Sequence, residues 1–518
     1  MARTSRLIAR FLCLVFNFRS GAAGAEHSTP PLLQDLRRNP YLPVSHLFDA
    51  MHPKVTKRSS ASRRRERGVR EADRLSTLPD ALLHHIMLFL KAWEVVRTCV
   101  LARRWRHLWT SVPCLDLRVR EDEHTNTPED FPEFVRLLFL HREASARLDT
   151  LRLRSSNVDG AHDEEDARLW IRTAIKLGAR VIHLVGHRRD WFRGSGLAQL
   201  EHASLVSSHL KILKLSYALL RGNILEQLSS YLPSLEELEL KDCFISACEI
   251  SSASLKILVM FKCDIFVNLS VAAPNLVLLR CISPIAHAPS FQNMRSLVTG
   301  TIILYDYAFT DSFYKDFSKD ELCETTDEDD DNQRYKTRHG FGVPPEGYGL
   351  GYNDDYNYGS DIDSDDDNKI EGGRNILQSL SNATSLELLA DAGEVILNRE
   401  LKSCPSFSNL KMLSLGEWCM DAEFNALIFF LQHSPNLEKL FLELKLNFNT
   451  RKPLDSGVKP KGRSFACKHL WMVNIKCSED DARVHKLAHL FRANGIPDEK
   501  IFVSYLRDKK ITEFWWED

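Results

Sequence analysis

The sequence predicts an α/β chain in which a small N-terminal module of three short helices precedes an irregular solenoid of short parallel strands with helical or irregular returns. Two observations predict it. Apolar residues recur at helical spacing between 75 and 109, and a Leu-x-x-Leu-x-Leu phrase recurs from 148 to 475. The 518 residues allow two or more domains of ordinary size. With 44% hydrophobic and 27% charged residues, the chain as a whole is neither disordered nor embedded in a membrane.

The first 72 residues read as an extension without a core of its own. Arg3, Arg6 and Arg10 precede the apolar run Phe11 to Phe16, a pattern open to reading as a signal peptide, a transit peptide or a plain extension. Prolines at 30, 31, 40, 43 and 53 then lead to a basic cluster at 57–67, which suits either nuclear import or a solvated linker. Net charge is only −2 because this basic stretch is balanced by an acidic one near 320–371.

Order is expected from about 73. Leu75, Leu78, Leu82, Leu83, Ile86, Met87 and Leu90 follow helical spacing around Pro79, which sets the helix start, and Asp80 suits the first turn. After an interruption at Lys91-Ala92-Trp93, a second helix carries Val95, Val96, Cys99, Val100 and Leu101. A third carries Trp105, Leu108 and Trp109. The apolar faces of three helices in some 40 residues exceed what so small a core can hide, so part of them needs a partner.

From about 145 the repeating phrase takes over. Clear copies are Leu148/Leu151/Leu153, Leu210/Leu213/Leu215, Leu235/Leu238/Leu240, Leu410/Leu413/Leu415 and Leu437/Leu440/Leu442. Weaker copies are Val181/Leu184, Leu255/Leu258/Met260, Leu276/Leu279/Cys281, Leu386/Leu389 and Leu470/Val473/Ile475. Their spacing, about 20 to 33 residues, is that of leucine-rich repeats, in which inward leucines stack from one strand to the next. Repeats are expected over 145–305 and 373–460. The acidic, Gly- and Tyr-rich stretch 306–372 between them reads as a disordered insertion, with neither a calcium-loop register nor a phosphate cradle.

The segment 73–115 resembles an F-box of the kind found in plant F-box/leucine-rich-repeat proteins. The resemblance rests on Leu78-Pro79, Leu82-Leu83, Ile86, Phe89-Leu90, and then Arg104-Trp105-Arg106 with Leu108-Trp109. Ala102 departs from it, standing where the family usually has serine. Residues 461–515, through Cys467 to Cys477 and Ala482 to Phe491, loosely resemble the FBD extension of the same family. The resemblance implies docking on a Skp-type adaptor, and through it on cullin and RING subunits. The matching positions are Leu78, Pro79, Leu82, Leu83, Ile86, Leu90, Val96, Trp105, Leu108 and Trp109. It implies a substrate-recognition subunit of an SCF-type ubiquitin ligase, present in nucleus or cytoplasm, whose repeats bind a protein substrate.

No catalytic set, metal cluster or cofactor motif stands out. The twelve cysteines form no C-x-x-C pair, so Cys99, Cys114, Cys243, Cys263, Cys281 and Cys419 are expected as reduced, small apolar residues. His84, His85, His183 and His187 are expected to be structural or solvent-facing. Neither a membrane nor a nucleic acid is expected as a partner. Two other readings stay open: an F-box scaffold outside any ligase, and a secreted repeat protein, prompted by the N-terminal run and the sequons at Asn268 and Asn382.

Overall fold

The computed structural model describes residues 77–119, 128, 130–154, 164–186, 206–221, 225–304, 373–391, 395–444, 459–478 and 481–505. The apolar run at 11–16, the basic cluster at 57–67, His187 and the acidic insertion lie outside the described residues.

The first module opens with α1 (Asp80–Met87) and α2 (Ala92–Arg97). Pro79 is the N-cap of α1, and its carbonyl accepts from the amides of Leu82 and Leu83 at 3.0 and 3.2 Å. The expected interruption at Ala92-Trp93 is instead the first turn of α2. Both residues are 1% exposed, and Glu94 turns back to accept the Lys91 amide at 2.9 Å, half of a capping box. The expected third helix is two 3-10 turns, Arg103–Arg106 and Leu108–Ser111. Trp105 in the first turn and Leu108 and Trp109 in the second are all buried.

Beyond the module the chain builds three parallel ladders. In chain order the strands are β1 (Cys114–Leu117), β2 (Thr150–Arg154), β3 (Val181–Val185), β4 (Ile212–Ser216), β5 (Leu219–Arg221), β6 (Glu237–Lys241) and β7 (Phe244–Ser246). Then come β8 (Glu249–Ser251), β9 (Ile257–Phe261), β10 (Asp264–Ile265), β11 (Ser270–Ala272), β12 (Leu278–Ile282), β13 (Ile285–Ala286) and β14 (Ser290–Gln292). The last are β15 (Thr299–Leu304), β16 (Ser385–Ala390), β17 (Met412–Leu415), β18 (Lys439–Glu443), β19 (Met472–Cys477) and β20 (Ile501–Tyr505). The main sheet has 13 strands in the order β1-β2-β3-β4-β6-β9-β12-β15-β16-β17-β18-β19-β20. Apart from the strands that belong to the two side ladders, spatial order therefore follows chain order.

Register explains the repeating phrase. Leu151 and Leu153 of β2 align with Ile182 and Leu184 of β3, which align with Leu213 and Leu215 of β4. All six are buried. Strand side chains alternate faces, so the inward partner of Leu184 is Ile182 and not Val181. For the same reason the inward pair in β16 is Leu386/Leu388, which faces Leu413/Leu415, and not Leu386/Leu389. The sheet also starts earlier than the first phrase, because Leu115 and Leu117 of β1 pair with Leu151 and Leu153. β15 is a further strand, where Gly300 stands at an inward leucine position. A Cβ there would lie 3.0 Å from Leu386 Cδ2 and 3.2 Å from Leu380 Cδ2, so neighbouring leucines already fill that space.

Return segments follow the spacing. Leu148 and Val181 bracket the helix Glu164–Lys176, and Leu410 and Leu437 bracket Asn425–Gln432. Leu235, Leu255 and Leu276 are only 20 and 21 residues apart, too close for such a helix. There the chain returns through two short strands, forming the ladders β5-β7-β10-β13 and β8-β11-β14. Four successive main strands, β4, β6, β9 and β12, are each followed by a left-handed residue: Tyr217, Asp242, Lys262 and Ser283, with φ between 48 and 53°. Their amides donate to Lys241, Phe261, Ile282 and Ile303 carbonyls at 2.8–3.0 Å, which holds four costly non-glycine conformations in place.

Cys243 and Cys263 follow that turn, each with its Sγ donating to a carbonyl of the preceding strand, Leu215 at 3.4 Å and Leu240 at 3.3 Å. Burial pushes the Cys243 thiol up to about 12 and raises that of Cys263 well above the ordinary thiol value, so both remain protonated. The ten described cysteines are all free.

Asp264 is 5% exposed, and burial, with Asp242 nearby, raises its carboxyl to about 7. The sign follows. A folded-state value above the ordinary one near 4 means that ionisation opposes folding, so stability is lost as pH rises from about 4 to about 7 and levels off above that. The loss reaches up to about 4 kcal/mol if the carboxylate stays dry, less as water reaches it. Asp264→Asn is therefore expected to raise the melting temperature at pH 8 and to leave it nearly unchanged at pH 4. Thermal melts at both values check this; an equal effect at both would contradict it.

Candidate protein-binding surfaces

The helical module has two apolar faces with opposite fates. On α1, Leu83 and Met87 point inward, at 0% and 1% exposure. Leu82 and Ile86, one position earlier and so about 100° round the helix, remain accessible at 49% and 40%, and Phe89 continues the stripe at 80%. Leu82 and Ile86, four residues apart, share one face of α1, and Phe89 follows three residues later in the turn past its end. Val100 and Leu101, at the end of the second helical segment, are also exposed. Five exposed large apolar side chains in 20 residues are more than a free surface of this size ordinarily carries.

Of the positions implied by resemblance, Pro79, Leu82 and Ile86 are accessible, and Leu78 and Leu90 are half-buried against the core. Leu83, Val96, Trp105, Leu108 and Trp109 are interior. They shape the module from within, and the two tryptophans brace its 3-10 turns. Phe89, Val100 and Leu101 were not among the candidate contacts; helical phase relative to Leu83 and Met87 is the signal that separates them from the core. The His84 ring Nε2 lies 3.1 Å from the Leu108 carbonyl and 3.3 Å from Ser111 Oγ, tying α1 to the last turn. Ala102 is the N-cap of the Arg103–Arg106 turn and offers no side-chain cap.

The module is fastened to the sheet. Trp93 of α2 meets Phe131 of α3 (Phe131–Leu140) at 6.0 Å, and Phe131 meets Trp170 at 5.9 Å, both edge-to-face. Asp116 of β1 holds Arg118 in a fork at 2.8 and 3.0 Å, with Lys91 at 3.8 Å and Arg152 at 3.9 Å. Burial pushes the Asp116 carboxyl up, but the Arg118 bonds and charge, with Lys91, hold it below the usual carboxylate range. Arg142, at 8% exposure, donates to the Val112 carbonyl at 2.8 Å, between the last turn of the module and β1. Burial lowers its guanidinium to about 10.

The main sheet buries one face and leaves the other open. On the open face near β1, His183 lies between Arg152 and Lys214. Burial, together with the charges of Arg118, Lys214 and Arg152, lowers its ring to about 4, so it is neutral at physiological pH. Lys214 binds Glu237 and Glu239 at 3.2 and 2.8 Å. From β9 to β15 the face turns apolar, through Ile257, Phe261, Leu278, Ile282 and Ile303. Toward β18 it opens into a cavity of about 370 Å³ lined by hydroxyls, Met412 and Phe441. Among the described residues no group of three His, Cys, Asp or Glu side chains is placed to hold a metal, and no helix is long and apolar enough to cross a membrane. The described part of 461–515, up to Tyr505, extends the sheet through β19, the helix Arg483–Ala493 and β20.

Residues 75–117 match the F-box domain family. The meiotic F-box protein MOF of Oryza sativa subsp. japonica is 26% identical over 442 residues, covering 81% of this chain and 83% of the rice protein. An F-box/FBD/LRR-repeat protein of Arabidopsis thaliana is 32% identical over 220 residues, 39% of this chain and 47% of its own length. An FBD-associated F-box protein of the same plant is 37% identical over 109 residues, 20% and 24%. The chain thus spans about half, or less, of these two Arabidopsis relatives. It carries an F-box and is similar to plant F-box/LRR-repeat proteins, including ones with an FBD.

Proposed function

We propose that this plant-type F-box/LRR chain is the substrate-recognition subunit of an SCF-type ubiquitin ligase. The observation that carries the reading is the accessible stripe of Leu82 and Ile86 on α1, continued by Phe89 just past its end, in a module whose core is tied to the receptor sheet through Trp93. An apolar helix stripe fits a groove on a Skp-type adaptor, which in turn brings cullin and RING subunits. The parallel ladders act as a leucine-rich-repeat solenoid whose open face receives a protein substrate.

The work done is positional. Holding a bound substrate near the ubiquitin-carrying subunit turns an encounter into a local event, and no residue of this chain need touch the reacting atoms. The buried ties at Trp93, Asp116 and Arg142 matter because a loose joint between adaptor and receptor surface would dilute that proximity. Reduced, buried thiols fit residence in nucleus or cytoplasm.

Reconstitution tests this reading. With purified ubiquitin-activating and conjugating enzymes, ubiquitin chains on proteins held by the chain are expected only when adaptor, cullin and RING subunits are all present. Transfer that persists without adaptor and RING subunit would make the chain itself an enzyme and refute the receptor role.

A further inference from the structure

Arg280 lies at the centre of the open face. In the middle row of the sheet the order is Lys214, Glu239, Val259, Arg280, Thr301, Glu387. Both carboxylates of this row sit two strands away, roughly 10 Å at the usual strand spacing, and both are engaged. Glu239 holds Lys214 at 2.8 Å, and Glu387 accepts the Thr301 hydroxyl at 3.2 Å. Arg280 itself has no hydrogen bond or ion pair among the described residues. Leu278 and Ile282 lie above and below it on β12, and Val259 and Thr301 beside it are 7% and 6% exposed. The cavity of about 370 Å³ begins at Arg280 and runs toward Met412 and Phe441.

We propose that this face recognises an acidic protein segment, with Arg280 pairing to a carboxylate whose neighbouring apolar side chain enters the cavity toward Met412 and Phe441. The proposal rests on the reading of the sheet as the substrate surface and names the chemistry of that substrate. A protein covering this apolar band strips water from the guanidinium. An uncompensated buried cation is strongly unfavourable, so the covering segment has to bring an anion. A planar carboxylate matches the guanidinium fork through two parallel bonds. A phosphate dianion fits less well, because Glu387 and Glu443 line the same cavity and Lys476 is already 3.7 Å from Glu443. A lysine-bearing segment meets repulsion at the same point.

The test uses the full chain co-purified with its adaptor and a displayed library of random 12-residue peptides. Peptides retained by the wild type are expected to carry Asp or Glu beside Leu, Ile, Phe or Met several-fold above their frequency in the library. Arg280→Gln is expected to abolish the acidic enrichment, and Arg280→Glu to replace it by Lys or Arg. For the best peptide, Asp→Asn in the peptide and Arg280→Gln in the chain should each weaken binding at least about tenfold, with little further loss when combined. Unchanged acidic enrichment with Arg280→Gln, no enrichment with the wild type, or tighter binding of a phosphoserine peptide would each overturn the proposal. Adaptor recovery shows that the variants fold. Ubiquitin transfer to a carrier protein fused to the selected peptide separates the two readings. A fusion bound through Arg280 yet never modified counts against the ligase role alone, and one modified equally with Arg280→Gln counts against the recognition alone.

Discussion

Leu82→Asp combined with Ile86→Asp is expected to weaken binding of a Skp-type adaptor at least about 100-fold, while the melting temperature of the free chain stays close to wild type. Both side chains are roughly half accessible in the free chain, so new carboxylates there remain hydrated and cost the fold little. Once the stripe is covered, the same carboxylates lose water without gaining partners, at about 1–3 kcal/mol each. About 2.7 kcal/mol in total gives the 100-fold loss. Leu83→Asp is the informative contrast. Leu83 has no accessible surface, so a carboxylate there enters the core and unfolds the module. A titration with adaptor beside a thermal melt separates the two. If the Leu82/Ile86 variant bound adaptor as wild type does, α1 would not be the docking helix.

The second large effect is expected at Trp93→Ala. Trp93 is 1% exposed and among the largest fully buried side chains, and it touches Phe131 at the junction of module and sheet. Truncating a buried tryptophan costs about 3–5 kcal/mol, the lost transfer energy plus a cavity that packed neighbours cannot close. The chain should unfold at a lower denaturant midpoint, with the module exchanging its amides faster than β4 to β18. A melt unchanged from wild type would show that this aromatic contact does not secure the junction.

Much of this architecture was legible in the sequence because leucine spacing and strand register obey the same period. Leu213/Leu215, Leu238/Leu240 and Leu440/Leu442 announce their strands. The phrase fails where a different residue fills the same space. Gly300 hides β15 because Leu297, Leu380 and Leu386 occupy its room, and Ile182 hides behind Val181 because both are β-branched and apolar. Lys91-Ala92-Trp93 read as an interruption, yet Glu94 accepts the Lys91 amide and caps a new helix that begins at Ala92. The docking face was half legible. Apolar spacing marks α1, but only packing against Trp105, Leu108 and Trp109 decides which side is core and which is Leu82, Ile86 and Phe89. Arg280 has no sequence signal at all. Its importance arises from neighbours on strands that the chain reaches 20 or more residues away.

The most direct measurement is titration calorimetry of the purified chain with a Skp-type adaptor. The predicted result is one-to-one binding with a negative heat-capacity change, as burial of an apolar stripe requires, and loss of that binding in the Leu82→Asp/Ile86→Asp variant. No binding by the wild type, or equal binding by the variant, would contradict the assignment of this helix as the attachment point to a ligase.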